Sequence, residues 1–209
     1  MRQSRILYFL ISSCLAVVLS SCASKTVKGF EEKAVADTMY KATYFSDKAT
    51  DYVYKAHISI YGKDFGGIFI AKKMNDTLSR VAFTTEFGNK LFDFEITDDS
   101  FKVNYILEEL DRKIIVNTLK RDFMLLLKQN YIIEQQYEDA ANTVYKSKAG
   151  NRYNYLFLDK ASGKLAKLVN AKVNEKIIIT YLQESDILAH KIIIDHKNIN
   201  LRIELDYIK

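Results

Sequence analysis

The chain has 209 residues, 48% of them hydrophobic, with 31 Lys and Arg against 26 Asp and Glu. That length suits one domain with a hydrophobic core, and the nearly even charge balance excludes a disordered tail or a protein that coats nucleic acid. Pro and Trp are absent, and the two Cys are Cys14 and Cys22. Because no thiol follows Cys22, the folded part cannot hold a disulfide, a thiolate zinc site or a cysteine nucleophile.

The first 21 residues have the three-part pattern of a secretory signal peptide. Arg2 and Arg5 precede an apolar run over residues 6–19, which is shorter than the ~20 residues of a membrane-spanning helix. The next residues, Leu-Ser-Ser followed by Cys22, resemble the bacterial lipobox, which implies cleavage before this cysteine and acylation of its thiol and new amino group. We therefore predict a lipoprotein signal peptide over 1–21 and lipidation of Cys22. An ordinary secretory peptide that ends in Cys is the alternative.

The residues after the predicted anchor indicate a location and a tether. Several acyl chains on one residue make membrane attachment effectively permanent. Ala23, rather than an aspartate, follows Cys22, and by resemblance to enterobacterial lipoproteins this favours the outer membrane, with the body facing the periplasm. Residues 22–30 are short, polar and without periodicity, so we predict a lipidated cysteine and tether there, and a single domain over 31–209.

Strand periodicity dominates the body of the chain. Residues 31–45 show a weak helical pattern and predict a short helix, although the aromatic and Thr residues at 40–44 argue against it. From Asp51 onwards, polar and apolar residues alternate with period two, most clearly from Ile199 to Tyr207. Turn residues interrupt this alternation about every 10–12 residues, which predicts an antiparallel meander of roughly ten strands.

One segment breaks the strand pattern. Residues 113–129 carry apolar side chains at helical spacing, and Asp111 can act as the N-cap. A sheet of about ten strands curls or closes, and its apolar face is the natural partner of the apolar face of this helix. The predicted fold class is therefore mainly β: a curled antiparallel sheet, or incomplete β-barrel, of about ten strands with a helical lid.

The order of these segments resembles a known family. The run from Phe83 to Val103, the helical segment 117–127, the strand pair 54–73 and the closing strands 187–208 are similar to the bacterial lipoprotein carrier and outer-membrane lipoprotein receptor (Lol) superfamily. The resemblance is one of pattern and order over most of residues 51–208. It implies an incomplete antiparallel barrel, closed by helices, that holds acyl chains in an apolar cavity. Carriers of the family lack a lipid anchor and receptors have one, so Cys22 indicates the receptor-like side.

Aromatic residues supply the candidate binding site. The chain has 14 Tyr and 12 Phe, placed heavily on the apolar strand faces. For any single ring, core packing is the better explanation, but as a set they exceed what one helix needs to cover, and such a lining suits acyl chains. The predicted cavity lining is Tyr54, Ile58, Phe83, Phe92, Phe94, Phe101, Val103 and Tyr105 of the sheet, with Leu119, Phe123 and Leu126 of the helix.

The polar residues predict no catalytic or metal site. His57, His190 and His196 are the only histidines, and we expect them at solvent-exposed strand positions because a metal site needs at least three converging ligands. The glycine-rich stretch 62–67 predicts a hairpin with a bulge, since no helix follows that could hold a phosphate. The acidic pair Asp93 and Glu95 alternates with apolar residues and predicts a solvated face.

These observations lead to a function without an enzyme activity. No hydrolase or nucleotide-binding motif occurs, and no basic groove interleaved with aromatics indicates nucleic acid. The sequence predicts an outer-membrane lipoprotein whose periplasmic half-barrel binds acyl chains of a lipid or lipoprotein in an apolar cavity, with no cofactor and no metal. The alternative is a structural accessory lipoprotein that docks on an envelope protein complex, its cavity filled by side chains. The predicted partners are the membrane, acyl chains and an envelope protein.

Overall fold

The computed structural model describes residues 24–208, which form one curled antiparallel sheet and one α-helix. This architecture confirms the predicted mainly β fold with a helical lid. The predicted signal peptide and the predicted lipidation site, Cys22, lie outside the described residues. The strands are β1 (Glu31–Lys33), β2 (Met39–Lys41), β3 (Asp51–Ile60), β4 (Lys63–Lys73), β5 (Ser79–Thr84), β6 (Lys90–Ile96), β7 (Phe101–Ile106), β8 (Asn130–Glu138), β9 (Asn142–Ala149), β10 (Arg152–Asp159), β11 (Leu165–Ala171), β12 (Glu175–Gln183), β13 (Ala189–His196) and β14 (Leu201–Tyr207); the helix is α1 (Lys113–Leu127).

The strand order explains how the helix covers the sheet. Thirteen strands follow one another as β1-β8-β9-β10-β11-β12-β13-β14-β3-β4-β5-β6-β7, and β2 also pairs with β8. Strand β7, which precedes α1, is at one edge, whereas β8, which follows it, is near the other. The helix must therefore cross the inner face of the sheet from one side to the other. No helix within residues 24–208 is both long and apolar enough to span a membrane.

The short helix predicted within residues 31–45 is wrong. Two three-residue strands stand there instead, and both pair with β8. Their side chains are almost all exposed, so burial of an apolar face does not hold them in place. Strand β8 would otherwise be an open edge, and its backbone groups favour pairing with whatever chain lies beside it. This pairing outweighs a weak helical pattern.

The N-terminal segment is docked on the sheet and is not a free tether throughout. Residues Lys25–Val27 form a 3₁₀ turn, and Val27 is buried in a small cluster on the outer face of strands β8 to β11. The ring of Phe30 packs edge-on against Phe157, with 5.9 Å between centroids. The apolar residues at 27 and 30 are too few to show periodicity, which is why the sequence indicates only a polar linker. The predicted tether over residues 22–30 is therefore corrected from residue 24 onwards.

The glycine-rich stretch forms a tight hairpin, as predicted, but without a bulge. Strands β3 and β4 pair continuously from Ile60 opposite Lys63 to Asp51 opposite Lys72. The two turn residues, Tyr61 and Gly62, both have positive φ angles, 49° and 79°. A two-residue loop with this geometry matches the right-handed twist of the strands it joins and keeps the register intact.

Candidate functional site: the aromatic interior and the pocket beside the helix

The structure brings most of the predicted lining residues together between the sheet and α1. Eight of the eleven are buried in one hydrophobic cluster, and Phe101 packs against it half-buried. The eight are Tyr54, Ile58, Phe83, Phe92, Phe94, Leu119, Phe123 and Leu126. The apolar spacing within α1 therefore identified the face that the helix presents to the sheet.

Phe123 of the helix stands at the centre of this cluster. Its ring centroid lies 5.4 Å from that of Phe69, 5.5 Å from Phe92 and 6.3 Å from Phe94. Phe92 and Phe94 in turn stack on each other at 4.6 Å. Rings at these separations are in van der Waals contact. Side chains thus fill the space beneath the middle of the helix, and a ligand could occupy it only if the helix moved outward.

Val103 and Tyr105 do not lie in the interior. They are 40% and 42% exposed on the edge strand β7. The register shifts by one residue between Asp93 and Phe94, so that Tyr105 pairs with Asp93 on the outer face. A shift of one residue moves a side chain to the opposite face of a sheet. Val103 lies opposite Phe94 but does not belong to the hydrophobic cluster, so the prediction that these two residues line the hollow is corrected.

A buried hydrogen-bonded pair, Asp122 and His196, attaches the helix to the sheet. His196 Nε2 lies 2.9 Å from Asp122 Oδ1 and 3.0 Å from Asp122 Oδ2, and the two side chains are 1% and 0% exposed. Burial raises the pKa of the Asp122 carboxyl, whereas the hydrogen bond from His196 acts in the opposite direction. The expectation that His196 is solvent-exposed is therefore wrong. It ends a row across the inner face, Ser147, Asn154, Asn170, Ile177 and His196, over which α1 lies.

The other two histidines are on the surface, as predicted. A register shift next to Gln183 turns Ala189 inward and His190 outward, where Nδ1 lies 3.6 Å from a Glu184 oxygen. His57 Nε2 lies 3.2 Å from Asp64 Oδ1. Within residues 24–208 no group of three potential ligands surrounds a point where a metal ion could bind.

One surface cluster contains the residue types of a catalytic triad but not its arrangement. The Ser59 hydroxyl donates to Asp64 Oδ1, the oxygen that also faces His57. The carboxylate therefore stands between the other two groups. In a triad the histidine contacts the hydroxyl and removes its proton. This order gives Ser59 no general base and leaves the cluster as a cross-strand contact.

Asp93 is buried, although the sequence predicted that it lies on a solvated face. It is 2% exposed and accepts two hydrogen bonds from Arg80, with Nε to Oδ1 at 2.9 Å and Nη2 to Oδ2 at 2.7 Å. Lys90 Nζ lies 3.1 Å from Oδ2. The bonded Arg80 guanidinium lowers the pKa of Asp93 to about 2 against the opposing effect of burial, and Lys90 adds to it. The long basic side chains cover this carboxylate, and such cover leaves no periodic signal in the sequence.

A pocket beside the helix was not predicted. Its volume is about 580 Å³, and it lies between one side of α1, the β6–β7 turn, the β9–β10 hairpin and β11. The lining residues are Asp98, Asn117, Lys120, Arg121, Met124, Leu125, Lys128, Lys148, Ala149, Asn151, Arg152, Asn154 and Asn170. The basic residues on the polar face of α1 were the only sequence signal for this pocket. They did not suffice to predict it, because the residues of the β9–β10 hairpin that complete the lining are distant in the chain.

Comparison with known proteins supports the fold. No protein-family model and no curated protein sequence matches the chain. Among solved structures, a LolA superfamily protein from Nitrosomonas europaea is 10% identical with a TM-score of 0.51, over 80% of this chain and 88% of that one. A DUF1329 family protein from Desulfovibrio piger is 7% identical with a TM-score of 0.42, over 76% and 84%. The chain thus has a LolA-like fold, a curled antiparallel sheet with a helix on its inner face.

Proposed function

We propose that this protein is a lipid-anchored envelope protein that binds acyl chains of a lipid or lipoprotein between α1 and the inner face of its sheet. In this proposal Cys22 carries the anchor, the anchor lies in the outer membrane, the body faces the periplasm, and no reaction is catalysed. One observation carries the proposal: over strands β3 to β6, the helix covers an inner face built of aromatic and aliphatic side chains. The LolA-like fold also supports it. The sequence pattern resembles the Lol superfamily, and this resemblance implies an incomplete barrel that holds acyl chains in an apolar cavity.

Binding by this route requires the helix to move. Side chains of α1 such as Leu119 and Phe123 fill the interior, so acyl chains would have to take their place against the sheet. Each buried methylene contributes about 0.8 kcal/mol, and an acyl chain can thereby offset the loss of the helix contacts. The polar contact to be broken is that between Asp122 and His196. These two residues act as a latch in this proposal.

A variant that fills the interior tests the proposal. The hydrophobic core described above is formed by residues within 24–208, so a version that begins at Ala23 is suitable. We expect native mass spectrometry to find co-purified lipid on it, and palmitate to displace a fluorescent fatty-acid probe. Leu119→Trp should weaken probe binding at least tenfold, because Leu119 is buried against the sheet. Ile114→Trp is the matched control, since Ile114 lies on the same helix and is 58% exposed.

The outcome that contradicts acyl-chain binding is equally definite. It is a body that carries no lipid and gives no probe displacement, while its far-ultraviolet circular dichroism is that of a β protein. Equal loss of binding in both tryptophan variants would also contradict binding beneath the helix.

The closed interior favours a second function, that of a structural accessory lipoprotein. The rings packed around Phe123 leave the core stable without a ligand, and such a body can serve as a rigid docking module. In this case Leu119→Trp changes only stability, and crosslinking in cells recovers a fixed envelope protein. The same pair of tryptophan variants therefore separates the two functions.

A further inference from the structure

The pocket beside α1 is strongly basic. Five cationic side chains and one carboxylate line it, the carboxylate being that of Asp98 on the β6–β7 turn. The cations come from two parts of the chain that the fold brings together: Lys120 and Arg121 of the helix with Lys128 directly after it, and Lys148 and Arg152 of the β9–β10 hairpin. Neutral polar and apolar side chains complete the lining.

These five cations differ from other basic residues of the protein in their ion pairing. Within residues 24–208 none of the five takes part in an ion pair, whereas Arg80, Lys191 and Arg202 on the sheet surface are each paired with acids. Burial lowers the pKa of Arg152, and the nearby positive charge of Arg121 lowers it further. Two guanidinium groups thus repel each other across the pocket. An anion placed between them would remove this repulsion.

The floor of the pocket is ordered by hydrogen bonds. Arg152 Nη1 donates to Asn170 Oδ1 at 3.0 Å, and Asn170 Nδ2 donates to Asn154 Oδ1 at 2.7 Å. Asn154 and Asn170 are opposite each other on neighbouring strands and are 1% and 6% exposed. The guanidinium of Arg152 is therefore held at a fixed place before any ligand arrives, with its remaining N–H groups available. Fixed donors of this kind make binding more favourable because less side-chain entropy is lost.

Two lysines at the rim are also positioned by neighbours. Lys120 Nζ lies 5.8 Å from the ring centroid of Phe101, and Lys128 Nζ lies 5.5 Å from that of Tyr131. Cation–π contacts place a positive charge without neutralising it. Met124 and Leu125 of α1 supply the apolar part of the wall. The pocket thus combines a charged centre with an apolar side.

We propose that this pocket binds the phosphate group of a ligand, which can be the headgroup of a phospholipid or a soluble phosphate ester. Phosphate fits because it accepts paired hydrogen bonds from guanidinium groups and carries enough charge to balance several cations. The volume of about 580 Å³ is that of a small-molecule site. The proposal goes beyond acyl-chain binding, since the lining is mainly charged and polar and includes none of the predicted aromatic lining residues.

Removal of the two arginines tests the proposal on the full chain, purified from membranes in a non-ionic detergent. We expect calorimetric titration to detect binding of inorganic phosphate or of glycerol 3-phosphate. Arg121→Gln combined with Arg152→Gln should weaken it at least tenfold. Lys172→Gln combined with Lys197→Gln removes the same charge from exposed positions outside the pocket and should change affinity less than twofold. Lys120→Gln with Lys148→Gln, at the rim, gives a second readout if the arginine variant folds poorly.

A second measurement identifies the source of the phosphate. Mass spectrometry of the same four preparations gives the amount of phospholipid co-purified per protein. A loss of phospholipid in the arginine variant, with intact phospholipid in the lysine control, supports a lipid headgroup; a change in phosphate titration alone supports a soluble ester. The proposal is overturned if neither phosphate affinity nor phospholipid content falls in the pocket variants, or if the lysine control loses as much. Phosphate binding that survives Leu119→Trp shows that this site stands even if acyl-chain binding fails.

Discussion

Asp122 and His196 form a buried pair that joins α1 to β13, with His196 Nε2 at 2.9 and 3.0 Å from the two carboxylate oxygens. Both side chains are fully covered, and they are 74 residues apart in the chain. His196 Nδ1 has no hydrogen-bond partner within residues 24–208. A pair in such surroundings contributes little net free energy when intact, but each member depends on the other to remain buried.

We therefore expect Asp122→Ala to be strongly destabilising. Loss of the carboxylate leaves His196 buried without a partner, which costs about 3–5 kcal/mol in the free energy of unfolding. Urea unfolding followed by circular dichroism measures this change. The matched control is the double variant Asp122→Leu with His196→Phe, which fills the space with apolar groups and should lie within about 1 kcal/mol of the unchanged protein. If Asp122→Ala lowered the free energy of unfolding by less than about 1 kcal/mol, water would have to reach His196 in place of the carboxylate.

Adjacent glycines in β4 should respond in opposite ways to the same substitution. A Cβ on Gly67 would overlap the Thr84 carbonyl oxygen of the neighbouring strand and lie 2.9 Å from its carbonyl carbon. A Cβ on Gly66 would meet no atom within 4 Å. Gly67→Ala should thus force β4 and β5 apart and cost about 1–3 kcal/mol. Gly66→Ala should be neutral or slightly stabilising, because it restricts the unfolded chain. Thermal unfolding of both variants checks this, and equal melting temperatures would refute the close approach of the two strands.

The sequence predicted those parts of the fold that depend on neighbouring residues. Alternation in β3 and β14 follows from one buried face per strand, and both strands have the predicted inner side chains. The spacing of Leu119, Phe123 and Leu126 likewise identified the buried face of α1. These patterns are local because strand and helix geometry repeat over two and 3.6 residues.

Features that depend on pairing between distant segments could not be predicted. Because of the register shift beside Asp93, Ile106 packs against the core. Tyr105, which we expected on that inner face, pairs with Asp93 on the outer face. No local pattern marks this shift, because it is a property of two strands together. The same holds for His196, whose partner is on the helix, and for the basic pocket, to which α1 and the β9–β10 hairpin both contribute. Most of the interior could thus be predicted, whereas its latch and the pocket could not.

Asp93 should make stability depend on pH below about 4. Its pKa is about 2 in the folded protein, below the ordinary 3.8, so the unfolded chain binds more protons between these values. The contribution of the carboxylate is complete above pH 3.8 and is lost as the pH falls towards 2. We expect Asp93→Asn to lose about 1–2 kcal/mol near pH 6 and to approach the unchanged protein near pH 2. Urea unfolding at intervals between pH 6 and 2 gives the difference. Glu95→Gln, on the same strand but more exposed, should show a smaller difference, and a pH-independent gap for Asp93→Asn would contradict the bonded pair.

Phe94 and Tyr105, both predicted to line a cavity, should behave in opposite ways when truncated. Phe94 is fully buried against Phe92, Phe101 and Phe123, so Phe94→Ala should cost about 3–5 kcal/mol through lost burial and the space left behind. Tyr105 lies on the edge strand with Lys90 Nζ 5.8 Å from its ring centroid. Tyr105→Ala should therefore change the free energy of unfolding by less than about 1 kcal/mol. If both variants lost several kcal/mol, the outward position of Tyr105 would be wrong. If Phe94→Ala lost little, the interior would not be packed as tightly as the ring distances indicate, and a cavity beneath the helix would exist without any movement of α1.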